Sequence, residues 1–94
     1  MTTSEQVIRE FAQHYIANPR IIRSTRGTNM TAINLGMYHL EISNSDDNPT
    51  IFCDVYHHYD RLGSFAEKNI NLLHAKVGGT LATIAPALFG DSNA

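Results

Sequence analysis

Apolar residues recur every three or four positions near the start of the chain: Val7, Ile8, Phe11, Ala12, Tyr15 and Ile16. That spacing gathers them into one helical stripe. Thr3 with Gln6 three residues on has the form of a capping box. Asn18-Pro19 closes the segment, because the residue before proline avoids the α region. The pattern predicts a helix over 4–17 whose stripe covers one face of a sheet.

The period then changes from helical to two. Arg20–Arg26 reads as a short strand or extended lead-in over 20–26, and Gly27-Thr28-Asn29 as a turn. From Met30 the chain alternates weakly. Gly36 stands alone, without the paired turn residues of a tight hairpin, so one long bent strand over 30–43 is expected. Met37–Tyr59 is the clearest signal: two alternating runs, 37–43 and 50–58, flank a polar loop from Asn44 to Pro49. Tyr38, Leu40 and Ile42 share one face, as do Ile51, Cys53 and Val55. With Ser43 opposite Thr50, Ile42 meets Ile51, Leu40 meets Cys53 and Tyr38 meets Val55, so every inward position matches.

After a connection over Asp60–Gly63, Ser64 and Glu67 suggest a second capping box. Phe65, Ala66, Ile70, Leu73 and Val77 follow as an apolar stripe, predicting a helix over about 64–77 that Gly78-Gly79 would stop. Residues 80–89 read as a short strand or extended tail, with Ala85-Pro86 barring a long helix. Residues 90–94 are expected to fray. The expected fold is α+β, one domain over 1–94. Its antiparallel sheet has two to four strands built on the 37–59 hairpin, with both helices on one sheet face.

That order, helix, strands, helix, together with an acidic charge balance, resembles the first part of the small acidic chaperones of type III secretion. The likeness lies in element order and charge alone, so it bears on fold and not on function.

Composition narrows the classes. The chain has 94 residues, 43% of them apolar, as a globular domain does. At this size only roughly 60–65% of the unfolded surface is buried, so the core is thin and sharing it with a second copy would help. A net charge of −2 makes nucleic-acid binding an unfavoured class. One cysteine, Cys53, excludes an internal disulfide. The first residues lack a basic and an apolar region of a signal peptide, and no apolar run reaches the roughly 20 residues of a membrane span, so a cytoplasmic protein is expected.

Several residue groups invite chemistry. Cys53, Asp54, His57, His58 and Asp60 are ligand types close in sequence. On a strand, however, His57 and His58 point apart, and Cys53 and His57 stand about 13 Å from each other. No metal and no cofactor are expected. Cys53 reads as a buried, inert core thiol. His39 falls opposite Asp54 in the expected register, a pairing that could orient a general base, but no nucleophile accompanies it. Arg20, Arg23 and Arg26 form the sole basic cluster, able to grip an anion or simply to charge an exposed edge.

The expectation is a non-enzymatic protein-binding module, such as an inhibitor, an adaptor or a chaperone-like protein, acting as a homodimer through its sheet. The alternative is an anion-binding or catalytic protein using His39, Asp54 and His58 with the arginines. A weaker alternative is nucleic-acid binding through those arginines. The expected interface is the outer face of the hairpin, at Met37, His39, Phe52, Asp54, Tyr56 and His58, where Met37 would face Tyr56 and Phe52 would face Glu41. Met, Phe and Tyr among His, Asp and Glu are interface composition rather than that of a solvated sheet face. A competing cover for this face is the segment Leu81–Phe89 of the same chain.

Overall fold

The capping box at the start of the chain forms in full. In the computed structural model, which describes residues 3–86, Thr3 Oγ1 accepts from the Gln6 backbone N–H at 3.2 Å, and Gln6 Oε1 accepts from the Thr3 N–H at 2.9 Å. Helix α1 spans Ser4–Gln13 and buries Ile8, Phe11 and Ala12. It ends earlier than the expected residue 17, because its last bonds tighten. His14 and Tyr15 donate to carbonyls three residues back, those of Phe11 and Ala12.

Five strands follow: β1 Ile22–Arg23, β2 Thr28–Leu35, β3 Tyr38–Ser45, β4 Asn48–His57 and β5 Asp60–Glu67. They pair antiparallel in the order β1-β2-β3-β4-β5. Helix α2 spans Ile70–Ile84. The α+β class and the two flanking helices are as expected, but the sheet has five strands rather than two to four. Five strands before the second helix also depart from the order on which the likeness to the secretion chaperones rested.

Three local differences account for this. The long strand over 30–43 is two strands. Gly36, with φ of 72°, takes the first central position of a two-residue turn between Leu35 and Tyr38. A type II′ hairpin needs positive φ only there, so no second turn residue is required. The lead-in strand over 20–26 shrinks to Ile22–Arg23, because Ser24 begins a turn closed by its carbonyl and that of Thr28.

The expected helix over 64–77 begins six residues late. Asp60–Glu67 is a strand: Gly63, Phe65 and Glu67 are half-buried while Ser64 and Ala66 are exposed. That is the period of two. The true cap is Asn69, whose side-chain oxygen accepts from the N–H groups of Asn71 and Leu72 at 2.9 and 3.2 Å. Gly78 and Gly79 lie inside α2 instead of ending it, and residues 80–84 are helical rather than strand. The helix ends at Ala85, the residue before Pro86, with φ of −142°. The expected tail beyond Pro86 and the fraying over 90–94 lie outside the described residues.

The β3–β4 hairpin has a shifted register. Its turn is Asp46-Asp47, with Ser45 opposite Asn48, so the strands close up further than the expected Asn44–Pro49 loop. Neither turn residue has positive φ. Such a turn twists against the strands it joins, and a bulge follows at once between Ser43 and Ser45. Beyond it Ile42 faces Cys53, Leu40 faces Val55 and Tyr38 faces His57. The displacement is two residues. Because side chains alternate with a period of two, each stays on its expected face.

Both helices lie on one face. α1 covers β2 and β3, and α2 covers β4 and β5. Between them one core contains Ile8 and Phe11 from α1, Ile33, Leu40, Ile42, Ile51, Cys53 and Val55 from the sheet, and Leu73, Val77 and Leu81 from α2. Burying each such side chain contributes roughly 1.5–3 kcal/mol. Leu81 and Ala85 are buried on this helical side. The segment proposed to cover the outer face therefore lies on the opposite side as far as Pro86.

The open end of this core is sealed by polar groups. Asn29 and Asn44 are buried. Asn29 Nδ2 donates to Ser4 Oγ at 2.9 Å and to Asn44 Oδ1 at 3.1 Å, while Asn44 Nδ2 donates to the Ser4 carbonyl at 2.8 Å. Arg23 donates to Asn29 Oδ1 at 2.9 Å and forms an ion pair with Asp46, which also accepts from Ser4 Oγ. Gly27, at φ of 83°, sits against this carboxylate: a Cβ there would stand 2.8 Å from Asp46 Oδ2.

Candidate functional site

The outer face of the sheet carries side chains that no described helix covers. Alternation along the strands and pairing across them order these side chains into rows. The first row is Ile22, Met30, Ser43, Phe52 and Ala66 from β1 to β5. The second is Ala32, Glu41, Asp54 and Ser64, and the third is Asn34, His39, Tyr56 and Arg61. Past the third row lie the turns at Gly36-Met37 and His58-Tyr59.

Each row has its own chemistry. The first is apolar but for Ser43, with Ile22, Met30 and Phe52 exposed by 66%, 53% and 44%. A shallow hollow of about 120 Å³ lies beside it, walled by Ile22, Met30, Thr31, Ala32 and Glu41. The second row holds two carboxylates side by side. Asp54 Oδ1 accepts from Ser64 Oγ at 2.6 Å. In the third row the His39 ring stacks on Tyr56, centroids 4.6 Å apart and planes within 5°. His39 Nε2 stands 3.9 Å from Glu41 Oε1. Partial burial, together with the carboxylates of Glu41 and Asp54, raises the Tyr56 phenol above its ordinary pKa. It stays a neutral hydrogen-bonding group.

The shifted register rearranges the expected partners. His39 faces Tyr56 and not Asp54, whose opposite residue is Glu41. The imidazole–carboxylate pairing that could orient a general base across the strands is therefore replaced by a stacked ring. Met37 does not face Tyr56, nor Phe52 Glu41; Phe52 faces Ser43, and Met37 occupies the turn, 56% exposed. His58 lies in the β4–β5 turn with φ of 55°, not on a strand. That turn swings its ring to 4.5 Å from His57, so the two histidines do not point apart as a continuous strand would make them. Among the described residues no group of three or more His, Cys, Asp or Glu is placed to hold a metal ion.

Cys53 lies wholly in the core, and burial pushes its thiol up to about 12. The basic cluster divides. Arg23 belongs to the polar junction, where its hydrogen bonds and ion pair with Asp46 raise its pKa. Arg20 and Arg26 make no ion pair among the described residues. Missed from sequence were Ile22, Met30 and Arg61, which extend the face to β1, β2 and β5. Met30 alternates with Thr31, but only the Gly36 turn and the fifth strand bring these residues into one surface.

A second depression of about 410 Å³ opens between the first turns of both helices and the β3–β4 turn, lined by Ser4, Val7, Asp46, Ile51, Lys68 and Ile70 among others. Asp46 and Ser4 are already engaged in the junction described above. Comparison with known proteins gives no guide here: no family model, curated protein or solved structure matches the chain. No helix among the described residues is long and apolar enough to cross a membrane. Fold and face together define the molecule: a five-stranded antiparallel meander with two helices on one side and an apolar and charged surface on the other.

Proposed function

We propose that this is a non-enzymatic protein-binding module whose binding surface is the outer face of the sheet. One observation carries the reading: Ile22, Met30 and Phe52 are exposed in one row, with only the small Ser43 between Met30 and Phe52, on a face that both helices leave open. Scattered apolar residues on a surface are ordinary, whereas a contiguous group flanked by polar rows is the make-up of a binding site for protein. Stacked His39 and Tyr56 add a rigid aromatic element beside it. An inhibitor, an adaptor and a chaperone-like protein all use such a surface.

The test is capture from a lysate of the cells of origin. Immobilised wild type is expected to retain protein that Phe52→Glu does not, with circular dichroism showing both folded. Equal retention by the two would remove the outer face from the function.

A further inference from the structure

We infer that the outer sheet face is the contact surface for a second copy of this chain, packed face to face about a two-fold axis parallel to the rows. The inference rests on the binding role just proposed for this face and names its partner. The distribution of charge selects the arrangement. Place the axis between the two faces, over the gap between the second and third rows. Each strand then lies over its own copy, reversed in direction, and the second row lands on the partner's third. Glu41 faces the partner's His39, and Asp54 faces the partner's Tyr56. The first row reaches the partner's turns, so that Met30 lies over the partner's Gly36, Ser43 over the partner's Met37 and Phe52 over the partner's His58.

Every contact occurs twice, as an isologous interface requires. Acid meets imidazole and phenol, and the first row packs on the partner's turns. An axis along the strands over β3 would instead set Glu41 on the partner's Glu41 and His39 on the partner's His39, and like charges in contact are costly. Size also fits. With strands about 4.8 Å apart and rows about 6.8 Å apart, the face measures roughly 20 by 20 Å. Allowing for side-chain relief, pairing buries roughly 1,000–1,200 Å² in total, at the lower end for specific interfaces.

The experiment is light scattering on the wild type and on two charge variants. The wild type is expected at twice the chain mass. Glu41→Lys sets lysine against histidine twice per pair, and His39→Glu sets glutamate against glutamate. Each is expected to weaken pairing by about 100-fold and run as a monomer. Mixed one to one, they are expected to recover the dimer, because lysine at 41 then faces glutamate at 39 while the other contacts stay native. On β4, Tyr56→Glu sets glutamate against the partner's Asp54 and is expected to be monomeric, with Asp54→Lys as the variant that restores pairing when mixed with it; this pair replaces the first should either variant fail to fold by circular dichroism. A monomeric wild type at every concentration overturns the inference, as does a dimer that both variants leave intact, or variants that do not recombine. The binding role itself is decided separately, by whether Phe52→Glu loses the captured protein.

Discussion

The two faces of the sheet are made from the same strands and differ in what each alternate residue meets. Cys53 and Phe52 are neighbours in sequence. One is sealed beneath both helices, and the other is 44% exposed on the open side. The inner face is mostly apolar, with the buried Thr31 hydroxyl bonded to the Arg20 carbonyl, and is closed at its end by hydrogen-bonded asparagines. The outer face has an apolar row, an acidic row and an aromatic row. The inner composition serves one purpose, exclusion of water. The outer composition combines apolar area with directed polar groups, which gives a surface both affinity and orientation.

The two faces should differ most in the reactivity of a thiol placed on each. In Phe52→Cys, labelled at protein concentrations low enough to keep the chains separate, the new thiol is expected to react with a maleimide at the rate of a free cysteine, while native Cys53 reacts only through unfolding. The rates should differ by about 10³-fold or more, the ratio set by the folding equilibrium. Comparable labelling of both would erase the distinction between the faces.

Stability gives the next contrast. Phe11 is fully buried and its ring stacks on His74 at 4.2 Å. Phe11→Ala should cost about 3–5 kcal/mol, against less than about 1 kcal/mol for Phe52→Ala in the monomer. Chemical denaturation at low protein concentration measures both.

Helix α2 offers a smaller effect. A Cβ at Gly79 would meet nothing within 4 Å. Gly79→Ala should therefore stabilise by about 0.5–1 kcal/mol, the cost of glycine in a helix interior. A lower denaturation midpoint would show that the glycine does something beyond its place in the helix.

The smallest effects are expected from pH, and both concern the inner side. His74 Nδ1 is buried without a hydrogen-bond partner, and burial, then the nearby His14, lowers its pKa below the usual 6.5. The unfolded chain thus binds the proton more readily, and stability rises with pH through this range. It is complete above about 6.5 and declines as pH falls below that value. The hydrogen bonds from Arg23 and Ser4 lower Asp46 to about 2 from its ordinary 3.8. Its contribution is complete above about 4 and is lost as pH falls toward 2. Denaturation midpoints against pH should show two descents on acidification, the first absent in His74→Phe and the second in Asp46→Asn.

Much of the inner face was legible in the sequence, for a reason the register makes plain. The β3–β4 pairing is displaced by two residues from the simplest alignment, yet Leu40, Ile42, Cys53 and Val55 are all buried as the alternation requires. Face depends on parity, so an even displacement leaves it intact. Partners depend on the displacement itself, and the expected opposition of His39 and Asp54 was lost with it. The first helix was legible because Thr3 and Gln6 are bonded to each other locally. The second was not, because Ser64 and Glu67 imitate that motif within a strand. There Ser64 bonds Asp54 across the sheet, and Glu67 pairs with Lys76 of α2. These are tertiary bonds, invisible to a local pattern. A histidine at positive φ, as His58 is, likewise gives no turn signal of the glycine kind.

A bulge interrupts β5. Between Val55 and Tyr56 the register with β5 slips by one, leaving Leu62 as an extra residue on the sheet's outermost strand. An uninterrupted edge of eight residues would present a straight series of amide donors and acceptors to any other strand, the template on which fibrils grow. The extra residue bends that series, and Asp60 and Arg61 place charge at its beginning. Growth of the ladder by successive copies from this edge is thereby discouraged, on a chain that also displays an apolar surface.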